Sequence, residues 1–150
     1  MRHLIERVLE LSDEEIVPQL DPQPNGQGTD EELRALLESL QPRIRVYGVG
    51  GAGCNAVGRL DAEGLFENSF VTGYAINTDA QALLMSPLEH KVLIGRTARG
   101  RGAGGDPTKG EAAALESEMA LRGITTDTQL AIIAAGMGGG SGTGAAGHIA

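Results

Sequence analysis

Two glycine-rich stretches of this 150-residue chain expose bare backbone in patterns that suit an anion. The first, Gly48-Val49-Gly50-Gly51-Ala52-Gly53-Cys54-Asn55, contains G-x-G-x-x-G between strand-like residues and a helical stretch. Glycine there lets the backbone approach a phosphate, and a helix start adds free N–H groups and a positive dipole end. A tight strand-to-helix turn without a ligand has the same pattern. The second is Gly136-Met137-Gly138-Gly139-Gly140-Ser141-Gly142-Thr143-Gly144. Glycine this dense is entropically costly as a mere connector. What it supplies is a row of open N–H groups, a nest for an oxyanion. Ser141 and Thr143 add hydroxyl donors without bulk. A third stretch gathers Arg96, Arg99, Arg101 and Lys109 around Gly100, Gly102, Gly104 and Gly105. Positive charge beside two anion cradles favours a ligand with several negative charges, such as a triphosphate. The plainer reading of that stretch is a solvated basic loop balancing an acidic arm.

Several other chemistries fail on inspection. No Gly-Lys pair occurs, so the Walker-type phosphate loop is excluded. Ser141 is not a nucleophile elbow, because G-x-S-x-G would need glycine where Thr143 stands. No paired Cys/His set offers a metal site, and His3, His90 and His148 are lone and widely spaced. Cys54 sits beside an expected helix start, where a thiol pKa can fall, but a small residue tolerated in a tight loop explains it as well. A nicotinamide-dinucleotide domain needs only the first loop plus an acid closing the second strand. Asp79 is near that place, yet further along the chain than the usual spacing of about 20 residues.

These residues need a scaffold, and the pattern supplies one. Arg43–Val49 reads as a strand, followed by the first loop and a helix from Asn55 to about Glu63. Phe70–Ile76 reads as a second strand ending in Asn77-Thr78-Asp79, and Lys91–Gly95 as a short third. After a Gly/Arg loop over 96–105, Asp106 looks like an N-cap with Pro107 at the first helical position. That helix is expected to run through Met119 and stop at Gly123. Gln129–Ala135 reads as a buried-type strand that feeds the second glycine loop. Strand–helix repetition of this kind predicts an α/β fold with a doubly wound parallel sheet. Each glycine loop follows a strand, so all should share the carboxyl edge of the sheet, where such folds bind ligands.

The first 42 residues have another character. Residues 1–43 hold ten acidic against four basic side chains and only Gly26 and Gly28 of the 23 glycines. They read as an acidic helical arm over 1–42, with a Pro/Gly linker over 18–28 and the glycine-punctuated domain over 43–150. Leu4, Ile5, Val8, Leu9 and Ile16 suggest one amphipathic helix. Thr29 with Glu32 forms a capping-box pattern ahead of Leu33, Leu36, Leu37 and Leu40, a second helix. Such helices dock on their own domain or, alternatively, on a neighbouring copy.

Composition narrows the class. Net charge is −8 and aromatics are two Tyr and two Phe with no Trp, which disfavours base-stacking RNA recognition and any non-specific grip on nucleic acid or anionic membrane. Cys54 is the single cysteine, which excludes an internal disulfide and fits a reducing, cytosolic setting. No apolar run approaches a membrane span and no signal peptide opens the chain, so a soluble intracellular protein is expected.

Gly138–Gly144 (GGGSGTG) resembles the tubulin/FtsZ signature G-G-G-[ST]-G-[ST]-G. VYGVGGAGCNAV, Asn77–Leu84 (NTDAQALL) and Arg99–Ala114 (RGRGAGGDPTKGEAAA) resemble the same family in the same order, so the likeness covers about 43–150. The acidic arm is similar to extensions on archaeal FtsZ proteins. The resemblance implies a Rossmann-like GTPase domain that binds GTP/GDP with Mg²⁺ and polymerises head to tail for cell division. It implies cytoplasmic placement at the mid-cell ring, with full-length filaments and other division proteins as partners. Nucleic acid and direct membrane insertion are not expected.

Carried over by position, Gly51, Ala52, Gly53, Cys54 and Asn55 would lie along the diphosphate, and Gly138, Gly139, Gly140, Ser141, Gly142 and Thr143 would wrap the phosphates. Asn77, Thr78 and Asp79 would sit near the nucleotide and Mg²⁺, and Ala103 with Gly104 would sense the γ-phosphate. No catalytic residue and no protein metal ligand is assigned. Ser141 stands where FtsZ usually has Thr, Ala52 and Cys54 where many members have Gly, and Gly147-His148 where Pro-Val is common. Family members continue past the point where this chain stops. The expectation is therefore an N-terminal half, with the phosphate part of the site and poor hydrolysis or polymerisation alone. A nicotinamide-binding oxidoreductase domain and a non-enzymatic filament regulator are the alternatives.

Overall fold

The computed structural model describes residues 29–67 and 70–150. The chain divides in sequence into two units, 1–40 and 41–150. The amphipathic stripe over 4–16 and the 18–28 linker lie outside the described residues. In the first unit, helix α1 (Asp30–Leu40) opens on the expected capping box. The Thr29 N–H donates to Glu32 Oε2 at 2.9 Å and the Glu32 N–H donates to Thr29 Oγ1 at 3.3 Å. Its leucines Leu33, Leu37 and Leu40 are exposed.

The second unit is a four-stranded, all-parallel sheet in the order β3-β2-β1-β4, formed by β1 (Ile44–Val49), β2 (Val71–Asn77), β3 (His90–Leu93) and β4 (Leu130–Ala135). β1 is central: Val49 pairs in register with Ile76 on one side and Ala135 on the other. β1 and β4 therefore end level, β2 runs one residue further to Asn77, and Gly50, Thr78 and Gly136 leave the sheet along one edge. Helices α2 (Gly50–Ala62) and α3 (Ala80–Met85) belong to one face. There Cys54, Val57, Leu83 and Leu88 pack with Val46 and Ala75. Helices α4 (Pro107–Glu116), α5 (Glu118–Thr125) and α6 (Gly140–Ile149) cover the other. There Ala113, Ala114, Leu121, Ala145 and Ile149 pack on Tyr47, Val49 and Ile76. Alternating strand faces explain the split, since odd and even residues of β1 feed different cores.

Two polar anchors fix the crossovers. Buried Tyr47 donates its hydroxyl to Ile124 O at 2.8 Å, and the Arg45 guanidinium donates to the same carbonyl, so the end of α5 is tied under β1. Tyr74 lies between Tyr47 and His90 with ring centroids at 5.4 and 4.9 Å, an aromatic row across three strands. His90 is thus a stacking partner, and His148 lies 3.7 Å from Glu111.

Four details differ from the pattern reading. α2 begins at Gly50, not Asn55, so the first glycine loop is itself helical. α3 was not expected; Asp79 caps it. The long helix after Asp106 breaks at Ser117, whose Oγ accepts the Gly95 N–H at 2.9 Å, and α5 then runs past Gly123 to Thr125. β4 comes last in the order of the described strands, and Leu130 and Ile132 are half exposed in these 150 residues, where a buried-type strand was expected.

Candidate nucleotide-phosphate site

The sheet order places a reversal between β1 and β4: the chain leaves β1 toward β2 and β3, then returns to β4 on the opposite flank. At such a point the connections diverge and leave a crevice at the carboxyl ends. A cleft of about 250 Å³ lies there, with Val49–Ala52 on one wall and Gly136 and Gly138–Gly142 on the other.

Both walls are helix beginnings. α1, α3 and α4 each have a side-chain cap: Thr29, Asp79 and Asp106 accept first-turn N–H groups. α2 and α6 start at Gly50 and Gly140 with no side-chain cap bond. Their first-turn N–H groups have no partner within the helix, and both positive dipole ends meet at the cleft. The wall itself is bare backbone. A Cβ built on Gly51, Gly138 or Gly139 would meet nothing within 4 Å, so these positions face open space. Gly50 is needed for the opposite reason: its φ is +71° and a Cβ there would stand 2.7 Å from the Gly142 nitrogen.

Of the residues expected at this site, Gly51, Ala52, Gly138, Gly139, Gly140, Ser141 and Gly142 line the cleft. Gly53 is packed on β4, where a Cβ would collide with the Ala134 backbone. Cys54 turns into the core and is no part of the cleft wall: its thiol donates to Gly48 O at 3.3 Å and Ile76 O at 3.6 Å. Burial pushes that thiol's pKa up, against the lowering a helix start would suggest. Asn55 is exposed on the next turn of α2, away from the lining. Thr143 does not line the cleft either; its Oγ1 is buried without a hydrogen-bond partner.

The β2 end supports the cleft from the side. Asn77 is buried and its Oδ1 accepts the Asp79 N–H at 3.2 Å. Thr78 Oγ1 is 2.7 Å from Ser141 Oγ. Asp79 Oδ1 accepts the Gln81 and Ala82 N–H groups at 2.9 and 3.1 Å, so that oxygen caps α3. The basic loop hangs from the same strand end through Ala80 N to Gly100 O (3.0 Å) and Gly102 N to Thr78 O (3.1 Å). No residue of that loop lines the cleft; Ala103 rests against the lining residue Gly140, where a Cβ would stand 2.7 Å from the Ala103 Cβ. Gly104 faces open space. Arg96, Arg99 and Arg101 are exposed and do not line the cleft, and Lys109 lies 4.0 Å from Asp106. Gly50 and Gly136 are lining residues that the expected set omitted, although Gly50 is the middle glycine of G-x-G-x-x-G. Among the described residues no cluster of three or more His, Cys, Asp or Glu could hold a metal. No described helix is long and apolar enough to cross a membrane.

The GTPase domain of the Tubulin/FtsZ family matches residues 43–150, the whole glycine-punctuated unit. The chain belongs to the tubulin/FtsZ family. Cell division protein FtsZ 1 of Pyrococcus abyssi is 45% identical over 152 residues, covering 100% of this chain and 40% of that protein. The protein of the same name from Halobacterium salinarum is 42% identical over 131 residues, covering 87% of this chain and 32% of its own length. A solved empty FtsZ dimer from M. jannaschii superposes with a TM-score of 0.71 at 40% identity, over 87% of this chain and 36% of that one. CetZ2 from Haloferax volcanii, a GTPgS-bound protofilament, gives 0.60 at 29% identity, over 71% of this chain and 34% of its own. The chain thus spans about 40% of the length of the FtsZ 1 relative from P. abyssi. The likeness supports neither the nicotinamide-domain alternative nor the regulator alternative. In this tubulin/FtsZ unit the G-x-G-x-x-G segment shares one cleft with a second glycine helix start, which the dinucleotide pattern does not require.

Proposed function

We propose that this chain carries the phosphate-binding part of an FtsZ-type, GTP-binding cell-division protein. The observation that carries the reading is the convergence of two uncapped glycine helix starts on one cleft at the β1/β4 reversal, within the family's matched region. The residues fit a nucleotide's phosphates on two counts. The wall is backbone with open space where side chains would stand. Two helix dipoles converge on it.

In this reading the N–H groups of Gly50, Gly51 and Ala52 hold one side of the diphosphate, and those of Gly139–Gly142 with the Ser141 hydroxyl hold the other. Ala103, which rests against Gly140, and Gly104 would sense a terminal phosphate. Asp79 and Asp106 each use Oδ1 as a helix cap, and Mg²⁺ would be held chiefly by phosphate oxygens and water, as that ion commonly is. The ion would neutralise phosphate charge. Hydrolysis to GDP and phosphate, coupled to self-association and division, is proposed for the whole protein; dimer and protofilament structures of relatives support the self-association.

Equilibrium titration of a fluorescent GTP analogue with Mg²⁺, competed by GTP, ATP and NAD, tests the reading. Displacement by GTP, with NAD ineffective, is expected. Equal displacement by NAD, or no binding by a folded chain, would overturn it.

A further inference from the structure

Thr78 sits at the end of β2 and is 1% exposed, yet it is polar and holds two loops at once. Its Oγ1 is 2.7 Å from Ser141 Oγ, and its carbonyl accepts the Gly102 N–H at 3.1 Å. It does not line the glycine cleft. It forms part of a neighbouring hollow of about 270 Å³ under the basic loop, so its side chain reaches the cleft only through Ser141, which does line it.

The direction of that short hydroxyl pair matters for an anion. Either oxygen can be the donor. If Ser141 donates to Thr78, Ser141 turns lone pairs toward the cleft and repels a phosphate oxygen. If Thr78 donates to Ser141 Oγ, the Ser141 proton is released toward the cleft, and the two bonds polarise each other in the same sense. Serine also lacks the γ-methyl group that stiffens χ1 in a β-branched residue, so its hydroxyl direction depends more on an external partner.

We infer that Thr78 is a positioning residue: it donates to Ser141 Oγ and so aims the Ser141 hydroxyl at a phosphate oxygen of the nucleotide, without touching the nucleotide itself. This rests on the phosphate-site reading above. Thr78 also couples the two loops, because the strand end that orients Ser141 carries the Gly102 bond as well.

The test is a binding cycle in the 150-residue chain, with a fluorescent GTP analogue and Mg²⁺, using T78V, T78S, S141A and T78V/S141A. T78V removes the hydroxyl at nearly constant shape and should weaken binding about 3- to 10-fold, the scale of one hydrogen bond. T78S should stay within about twofold of the parent, and T78V should cost nothing further in the S141A background. A T78V chain that binds like the parent, or a full T78V loss that persists with S141A, would overturn the proposal. Failure of the parent chain to bind would instead sink the nucleotide reading. The hydroxyl pair is then judged by thermal midpoints of the same four chains: coupled shifts retain the Thr78–Ser141 contact, and additive shifts overturn it.

Discussion

Gly50 and Gly51 are neighbours on one cleft wall, but they are glycine for different reasons. Gly50 has φ +71° and lies against the Gly142 nitrogen, so both backbone conformation and space exclude a side chain. Gly50→Ala should lower stability by about 1–3 kcal/mol, measured as a shift in chemical or thermal unfolding. Gly51 has ordinary dihedrals and open space at its Cβ position, inside the first turn of α2. Gly51→Ala should leave stability unchanged or raise it by up to about 1 kcal/mol, while weakening binding of the GTP analogue. An equal stability loss in both variants would show that Gly51 is there for folding and not for a ligand. The glycine pattern was legible in the sequence at this scale, but the division of labour within it was not. Cys54, a neighbour in the same motif, belongs to the core because α2 starts five residues before the expected point and rotates it inward.

The helices show which local signals survive tertiary packing. Asp106 and Pro107 announce α4 correctly because a cap is a local device: the Thr108 hydroxyl and N–H both donate to Asp106 Oδ1, at 2.6 and 3.0 Å. Those bonds from Thr108, with Lys109 nearby, hold the Asp106 carboxyl below its usual range. A carboxyl lowered in the folded state stabilises above its unfolded pKa and loses that contribution as pH falls through the folded pKa. The difference in thermal midpoint between the parent and Asp106→Ala should therefore be full near neutrality and shrink as pH drops below the ordinary carboxylate range. A difference independent of pH would contradict the cap. The break at Ser117 was not legible, because it depends on Gly95, 22 residues earlier in the chain. α3 was not legible because six residues are too short for a helical period, and Asp79, expected near the nucleotide and Mg²⁺, shows its capping role only in the structure.

At the scale of the whole molecule, alternation of strand and helix was enough to predict a parallel doubly wound sheet, and the order β3-β2-β1-β4 accords with it. What the alternation could not supply was which strands flank β1, and hence that the two glycine loops share one cleft. Charge contributes little to holding a nucleotide: residues 44–150 carry ten acidic against eight basic side chains, and the arginines of the basic loop stand away from the cleft. In the proposed reading, binding of the phosphates then rests on N–H groups and helix dipoles at close range. Backbone amide NMR of the isotopically labelled chain, titrated with GTP and Mg²⁺, tests this most directly. The account predicts saturable shifts concentrated at Gly50–Gly53 and Gly138–Thr143. Saturable shifts that leave both glycine helix starts unmoved would contradict it.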